Sequence, residues 1–412
     1  SVQQLRALYL YDLAAEKARP LAPGKRGVRN PRFSPNGRWV SFLYEHDIWL
    51  VPPSGGKERR LTWGATATLF HGDLDWVYPE EFAIRSGYEW SPDGGRLAFL
   101  EINQSLVPTY PIPDLLGLAA KVDLQRYPKP GDPNPKVRVG ILEAKPRASG
   151  KPRIHWVGRR GEYVPRIAWA GNDLVAVQLL NRSQNELELI FADAGNGRSR
   201  AVLTEKDPYW INVTDDLRFL QESKELLWTS ERTGFRHIYL YSYAGHQRRS
   251  LTEGPWEVSK VVGVDAENGW VYYLANQDNP LGNDLYRIKL DGNGKERLTS
   301  GKGSHSVLMN APKNAYADTR STLTTAPETI VRDPHSEATT LVHRSRPLDA
   351  YDLVKPELVE LESPDGALVR VMLVKPRPMD AKRRYSALMY VYGGPHAPTI
   401  RDAWGRRYLF HQ

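Results

Sequence analysis

Residues 237–254 read "HIYLYSYAGHQRRSLTEG", which is an apolar run, a glycine-containing turn, a basic run and then Leu-Thr. The same order recurs at 47–64 ("DIWLVPPSGGKERRLTWG"), 186–206 ("ELELIFADAGNGRSRAVLTEK") and 284–301 ("DLYRIKLDGNGKERLTSG"). Thr204, Thr252 and Thr299 lie 48 and 47 residues apart. Two short runs separated by a glycine-rich turn predict a β-hairpin. The chain is therefore predicted to repeat one antiparallel unit.

A second turn pattern precedes these hairpins. It reads "RFSPNGRWVSFL" at 32–43, "YEWSPDGGRLAFL" at 88–100 and, more weakly, "IAWAGNDLVAVQLL" at 167–180, with looser copies from Phe219, Val264 and Met309. Pro-Asn-Gly and Pro-Asp-Gly supply the backbone angles of a tight turn. Four short strands in about 45 residues are typical of a propeller blade, and a single blade cannot bury both of its faces. The sequence predicts a mainly β fold of the β-propeller type.

Two regions interrupt this pattern. Residues 104–160 read as an insertion that contains "RYPKPGDPNP" at 126–135, and it could line a central opening, a domain interface or a surface arm. Near Asp349 the repeat stops, and the later run "SALMYVY" at 386–392 is apolar throughout. That run predicts a buried strand. We expect a propeller over residues 1–348 and the start of a second domain over 349–412, in a piece of a longer protein.

Composition, charge and residue spacing exclude several classes of partner and site. The chain has 412 residues, 41% of them hydrophobic, and a formal net charge of +8. Because its basic residues are interleaved with acidic ones, no nucleic-acid partner is expected. Without cysteine there are no disulfides, thiolate metal sites or cysteine nucleophiles. The ten histidines show no metal-ligand spacing, so His71 and Asp73 are interpreted as structural. No apolar run is long enough to cross a membrane.

Two adjacent glutamates, Glu80 and Glu81, lie in "DWVYPEEF" at 75–82. Neighbouring carboxylates repel each other, so such a pair is either solvated surface or a cation site. On a regular strand the two side chains would point to opposite faces. They can converge only on a short helix or an irregular turn, and Pro79 suits the start of a helix. The pattern alone leaves both interpretations open.

Several motifs in order carry a resemblance. "DWVY-x-EE-F" (75–82), "WSPDG" (90–94), "VPTY" (107–110), "TSERTGFRHIYLY" (229–241), "EGPWEV" (253–258) and "VYGGPH" (391–396) resemble the dipeptidyl peptidase IV family, in the prolyl oligopeptidase clan of serine peptidases. The resemblance runs from about Leu8 to the last residue and suggests a bacterial member. It implies an eight-bladed propeller, incomplete here at blade 1, followed by the truncated start of an α/β-hydrolase domain. The catalytic Ser, Asp and His would follow the "VYGGP" strand, so this chain by itself is expected to be inactive.

The resemblance also implies site residues. Glu80 and Glu81 match the pair that holds the substrate's α-amino group; an ammonium offers three donors and one charge to such carboxylates. Tyr392 matches a tyrosine that helps to form the oxyanion hole, and Gly393, Gly394 and Pro395 would form the turn that presents it. Trp210 is a weak candidate for substrate contact. The arginine that contacts the substrate carbonyl would fall at or before Ser1, and Arg6 does not match it.

The resemblance implies that the full-length protein removes N-terminal Xaa-Pro or Xaa-Ala dipeptides, without a metal or other cofactor. Its partners would be peptides with a free N-terminus and, as a homodimer, a second copy; a periplasmic or secreted location is expected. Alternatives remain: a prolyl tripeptidyl peptidase or an acylaminoacyl peptidase of the same clan, or a non-catalytic peptide-binding propeller. A tripeptidyl peptidase could keep the glutamate pair, whereas an acyl-releasing enzyme should not need it.

Overall fold

The computed structural model describes residues 7–117, 121–145, 151–333, 339–345, 350–394 and 399–405. Contacts divide the chain into two units, Ser1–Val213 and Thr214–Gln412. Strands dominate both units, which confirms a mainly β fold. No helix in the described ranges is long and apolar enough to span a membrane.

The first unit opens with a hairpin of β1 (Tyr9–Asp12) and β2 (Lys17–Pro20). A four-stranded antiparallel sheet follows, with β3 (Arg29–Phe33), β4 (Val40–Tyr44), β5 (Asp47–Val51) and β6 (Arg59–Arg60). The next sheet begins with β7 (Leu69–His71) and continues, after the helix α1 (Val77–Glu81), with β8 (Tyr88–Trp90) and β9 (Arg96–Asn103). A separate hairpin of β10 (Thr109–Asp114) and β11 (Lys121–Arg126) follows β9. Strands β12 (Lys136–Glu143) and β13 (Ile154–Trp156) complete the sheet that β7 begins. The last sheet of the unit has β14 (Tyr163–Trp169), β15 (Leu174–Leu180), β16 (Glu186–Asp193) and β17 (Ser199–Lys206).

The second unit contains three four-stranded antiparallel sheets among its described residues. The first consists of β18 (Arg218–Leu220), β19 (Glu225–Ser230), β20 (His237–Ser242) and β21 (Gln247–Ser250). The second consists of β22 (Val258–Asp265), β23 (Trp270–Ala275), β24 (Asp284–Lys289) and β25 (Glu296–Arg297). The third consists of β26 (Ser304–Asn310), a 3₁₀ turn (Ala311–Lys313), β27 (Ala315–Ser321), β28 (Glu328–Arg332) and β29 (Thr339–Arg344). A hairpin of β30 (Glu357–Glu362) and β31 (Leu368–Leu373) follows.

The blade of β18 to β21 shows the burial pattern most clearly, with buried inner strands and an exposed outer strand. Every residue of β20 is buried, whereas every residue of β21, the basic run of the repeat, is exposed. Sheets bury their faces against the next sheet: Leu227 and Ile238 share one core cluster with Val261, Val271 and Tyr273 of the following sheet. These are propeller-type blades, and the described residues hold six such sheets. The predicted fold, an incomplete β-propeller, is confirmed.

The Leu-Thr that ends the repeat has a structural cause. At three of the repeats the threonine hydroxyl accepts a hydrogen bond from the backbone N–H of the blade's third strand: Ile48 N–Thr62 Oγ1 2.9 Å, Ile238 N–Thr252 Oγ1 2.9 Å and Leu285 N–Thr299 Oγ1 3.0 Å. The residue before each of these N–H groups contacts the same hydroxyl through its side chain; the three residues are Asp47, His237 and Asp284. The threonine hydroxyl therefore gives a hydrogen-bond partner to buried polar groups at the start of the third strand, which would otherwise have none.

The predicted insertion at 104–160 was too long. Residues 136–143 and 154–156 belong to the sheet, because β12 pairs with β9 along its whole length and β13 pairs with β12. Val137, Val139 and Ile141 alternate into the core, a pattern that the neighbouring prolines obscured in the sequence. The true excursion runs from Ser105 to about Pro135. Its hairpin, β10 with β11, is mostly exposed, as expected for a surface arm.

The predicted buried strand at 386–392 was wrong. These residues have no regular secondary structure, and Leu388, Met389 and Val391 are 86%, 84% and 72% exposed. A strand needs a neighbouring strand to accept and donate its backbone hydrogen bonds. No sheet within the described part of the chain includes this run, so its apolar side chains remain at the surface.

Candidate functional site

The glutamate pair lies at the end of the helix α1. Glu80 and Glu81 are both exposed, and the helix begins at Val77, so Pro79 occupies its first turn, where no backbone donor is required. Of the two conformations expected for a converging pair, a short helix or an irregular turn, the structure has the helix, which starts two residues before Pro79. Successive residues on a helix point about 100° apart rather than to opposite faces. The two carboxylates can therefore approach one cation together.

Contacts with β14 hold the middle and the end of α1. The Tyr78 side chain is buried, and its hydroxyl accepts a hydrogen bond from the Val164 N–H at 3.2 Å. Burial raises the pKa of Tyr78 far above its usual value, so the hydroxyl stays neutral. Phe82 packs against the rings of Tyr78 and Tyr163, with centroids 5.6 and 5.4 Å apart. The Arg166 guanidinium donates to the Phe82 carbonyl at 3.0 Å, where the helix ends.

The start of α1 lies beside residues that the sequence analysis did not single out. Asp75, two residues before the helix, is 8% exposed, and within the described part of the chain its Oδ1 atom has no hydrogen-bond partner. Burial raises the pKa of Asp75 to about 6. The Trp76 ring packs on Tyr127, just after β11, with centroids 4.3 Å apart. Asp75 was overlooked because the letters "DWVY" do not reveal that its carboxyl group is buried.

The base of the excursion lies beside the same helix. The Asn134 side-chain amide donates to Glu162 Oε1 and to the Tyr163 hydroxyl, both at 2.8 Å. Tyr163 in turn contacts Phe82, the residue after Glu81. Of the roles left open for the excursion, the exposed hairpin therefore fits a surface arm, while residues 127–135 pack around the candidate site.

Trp210 lies on the turn that follows β17, in the same unit as α1. Its residue is 52% exposed, so the indole is available to a ligand. The Asp207 carboxylate fixes the turn by accepting the backbone N–H groups of Tyr209 and Trp210 at 2.8 and 3.0 Å. These bonds lower the pKa of Asp207. Trp210 therefore lies on a defined turn with its ring exposed.

Tyr392 belongs to the second unit and is 62% exposed. The Gly394 backbone lies against its ring, since a methyl group added at Gly394 would be 2.5 Å from a ring carbon. A side chain at this position would have to displace the exposed Tyr392 ring. Pro395, the last residue of the predicted turn, lies outside the described residues. Trp404 is held by its backbone, which donates to Ser321 Oγ at 3.1 Å.

His71 and Asp73 have structural partners, as the sequence predicted. His71 Nδ1 lies 2.7 Å from Asp47 Oδ1, and its Nε2 lies 3.2 Å from Glu101 Oε2. Burial disfavours the charged ring, but these carboxylates prevail and raise the pKa of His71 to about 9. Asp73 accepts hydrogen bonds from Arg29 at 2.5 Å and from His46 at 2.7 Å. In the described part of the chain no three acidic, histidine or cysteine side chains are grouped as metal ligands.

Comparisons with known proteins agree with this architecture. Residues 4–327 match the family described as "Dipeptidyl peptidase IV (DPP IV) N-terminal region". A probable dipeptidyl peptidase 4 of Aspergillus fumigatus is 27% identical over 427 residues, which cover 96% of this chain and 54% of that protein. Dipeptidyl peptidase 4 of Trichophyton rubrum is 27% identical over 424 residues, with the same two coverages.

A solved structure extends the likeness to the fold. The crystal structure of Porphyromonas gingivalis dipeptidyl peptidase 4 superposes with a TM-score of 0.89 and 27% sequence identity, covering 98% of this chain and 59% of that one. The chain spans about half the length of the curated relatives that it matches. Because the family match covers most of its residues, the chain belongs to the dipeptidyl peptidase IV N-terminal region family.

Proposed function

We propose that this chain is the substrate-gating, N-terminus-recognising part of a serine dipeptidyl aminopeptidase that releases N-terminal Xaa-Pro and Xaa-Ala dipeptides. The observation that carries the proposal is the glutamate pair at the exposed end of a helix that buried contacts hold in place. The names of the relatives support a dipeptidyl peptidase. Serine chemistry and the preference for proline or alanine rest on the family resemblance of the motifs.

Glu80 and Glu81 would bind the substrate's α-ammonium group. Charge-assisted hydrogen bonds from an ammonium to carboxylates are among the stronger polar interactions in proteins. Holding the amine also fixes the distance from the N-terminus to the bond that reaches the nucleophile, so the pair would select dipeptide release. A blocked N-terminus has neither the charge nor the three donors, so it would not be held.

The remaining assignments belong to the same proposal. Residues 1–348 form the propeller, and residues 349–412 begin the hydrolase domain, in which Tyr392 donates its hydroxyl to the oxyanion. The last repeated sheet ends at Arg344, and the likeness to the solved relative covers 98% of the chain, including residues beyond the family match. Trp210 contacts the substrate. The nucleophile and its base lie elsewhere in the full-length protein, which acts as a homodimer in the periplasm or outside the cell.

The test uses the full-length protein with an Ala-Pro p-nitroanilide substrate, with a free and with an acetylated N-terminus. We expect cleavage of the free form alone. Glu80→Ala and Glu81→Ala should each lower kcat/KM by about 10- to 100-fold, because each loses a charged hydrogen bond. Glu143→Ala is the control, since Glu143 is an exposed glutamate of the same unit at the end of β12.

Two outcomes would contradict the proposal. Equal cleavage of the free and acetylated substrates would rule out amine recognition and would point to an endopeptidase or an acyl-releasing relative. Cleavage of neither substrate would leave a tripeptidyl peptidase or a non-catalytic propeller. A series of longer peptides with free N-termini would separate those two.

A further inference from the structure

The segment that returns from the excursion to the sheet, residues 127–135, is bound to the start of β14. The side-chain amide of Asn134 has two N–H groups, and both have acceptors there. One donates to Glu162 Oε1 and the other to the Tyr163 hydroxyl, each at 2.8 Å. A single side chain of this return segment therefore fixes two neighbouring residues at the edge of another sheet.

The backbone on either side of Asn134 is restricted. Pro133 and Pro135 flank it in the sequence, and each proline ring fixes one backbone angle. A residue that precedes a proline, as Asn134 does, also has fewer backbone conformations available. Arg182 Nη2 donates to the Asp132 carbonyl at 2.6 Å, which adds a further bond between the return segment and the sheet of β14. The amide of Asn134 is therefore held in a defined orientation.

The Tyr163 ring connects this segment to the glutamate helix. Phe82, the residue after Glu81, packs against the Tyr163 ring with centroids 5.4 Å apart. A helix of five residues has too few internal hydrogen bonds to be stable alone, so the orientation of α1 depends on the groups that it packs against. Asn134, Tyr163 and Phe82 thus form a continuous chain of contacts that ends beside Glu81.

The carboxylates depend on this chain of contacts because they are not buried themselves. Glu80 and Glu81 are exposed, whereas Tyr78 and Phe82, on either side of them, are only 2% and 5% exposed. The buried neighbours therefore decide where the two carboxylates lie. Binding one ammonium with both carboxylates requires each of them at hydrogen-bond distance, and a shift of Phe82 would move Glu81 directly.

We propose that Asn134 is a positioning residue for recognition of the substrate amine. By holding Tyr163 against Phe82, it keeps the glutamate pair where both carboxylates reach the amine. This inference rests on the proposed function of the pair. Asn134 does not touch the substrate; it acts through the Tyr163 side chain. Its loss weakens the binding of a free N-terminus without impairing the chemistry at the nucleophile.

The experiment uses the full-length protein and compares Asn134→Ala, which removes both donors, with Tyr163→Phe, which removes one acceptor and keeps the ring. Three quantities are measured: KM for free Ala-Pro p-nitroanilide, the inhibition constant of the product dipeptide Ala-Pro, and the rate of reaction with a small fluorophosphonate that has no amine. Asn36→Ala is the matched control. Asn36 Nδ2 also donates to a group distant in sequence, the Asp93 carbonyl at 2.8 Å, but it joins the turns that follow β3 and β8.

We expect Asn134→Ala to raise KM and the inhibition constant together by about fivefold, the effect of losing a typical hydrogen bond, and Tyr163→Phe to raise them less. Adding Asn134→Ala to Tyr163→Phe should raise them by less than a further fivefold, because both substitutions break the same contact. The fluorophosphonate rate should match that of the unaltered protein, and Asn36→Ala should change none of the three quantities. A merely structural role would lower stability but leave the amine-dependent constants unchanged.

Other results would overturn the inference. If Asn134→Ala keeps both constants within twofold while Glu80→Ala and Glu81→Ala raise them, the pair binds the amine but Asn134 does not position it. An equal loss of the fluorophosphonate rate would show general disruption instead. If Asn134→Ala does not fold, Tyr163→Phe decides: unchanged constants overturn the inference, and raised constants with an unchanged fluorophosphonate rate support it. If the glutamate variants leave the constants unchanged, the proposed function fails, so the two failures are distinguishable.

Discussion

At the scale of single residues, His71 couples protonation to folding. Burial opposes its charge, but its hydrogen bonds to Asp47 and Glu101 raise its pKa to about 9. Since the folded pKa exceeds the usual value of 6.5, the folded protein binds the proton more tightly than the unfolded chain. The resulting stabilisation is complete below about pH 6.5 and is lost as the pH rises through about 9.

We therefore expect the free energy of unfolding to fall between pH 6.5 and pH 9. The His71 contribution to that fall should be roughly 1–2 kcal/mol after allowance for solvent screening. His71→Gln should flatten the dependence over this range, as measured by urea denaturation at several pH values. His155→Gln, at a partly exposed histidine of the same unit, is the control. An unchanged slope in His71→Gln would show that other groups carry the pH dependence.

At the scale of elements, the recurring threonine lies just after the fourth strand of a blade and is hydrogen-bonded to the start of the third strand. In the blade of β18 to β21, Thr252 is 4% exposed, and its hydroxyl contacts the Ile238 N–H at 2.9 Å and His237 Nδ1 at 3.1 Å. His237 Nε2 lies 3.0 Å from the Gly254 carbonyl, so the ring also ties down the turn after the threonine. The sequence repeat is thus a hydrogen-bond repeat within the blades.

Thr252→Val keeps the shape of the side chain and removes its hydroxyl. The Ile238 N–H and one His237 nitrogen would lose their partner in a buried site, so we expect the variant to be destabilised by about 1–3 kcal/mol. Chemical denaturation measures the difference, with Thr233→Val, at an exposed threonine of the same sheet's connecting turn, as the control. Equal losses in the two variants would show that the buried hydroxyl contributes nothing specific.

At the scale of the whole molecule, the chain spans about half the length of its curated relatives. Residue roles that depend on the catalytic centre can therefore be tested only in the full-length protein. Tyr392, whose side chain is 62% exposed, is the clearest case, because the role proposed for it is catalytic.

Tyr392→Phe removes only the hydroxyl proposed to bind the oxyanion. In the full-length protein we expect kcat for the Ala-Pro substrate to fall by about 100-fold with little change in KM, because the bond forms only as the tetrahedral intermediate develops. The circular dichroism spectrum should be unchanged. If kcat stays within a few-fold of the unaltered value, Tyr392 serves packing rather than catalysis.

Much of this architecture could be read from local patterns. Alternating apolar and polar residues, glycine-containing turns and the Leu-Thr repeat predict blades. The alternation has a period of two because successive side chains of a hydrogen-bonded strand point to opposite faces, of which one is buried. Backbone geometry limits a converging pair of adjacent glutamates to a short helix or an irregular turn, and the structure has the helix at Val77–Glu81. The predicted limits of the insertion were wrong, because prolines near Gly131 hid the alternation of buried side chains that begins at Val137.

The sequence by itself thus determined the repeated sheets, which depend on neighbours along the chain, and it limited a converging Glu80 and Glu81 to a short helix or an irregular turn. Only the tertiary structure decided the burial of Asp75, the pairing of His71 with Asp47 and Glu101, and the lack of a strand at 386–392. Each of these depends on desolvation or on a partner distant in sequence. These contributions to the free energy arise only when folding brings remote groups together, so no local sequence pattern predicts them.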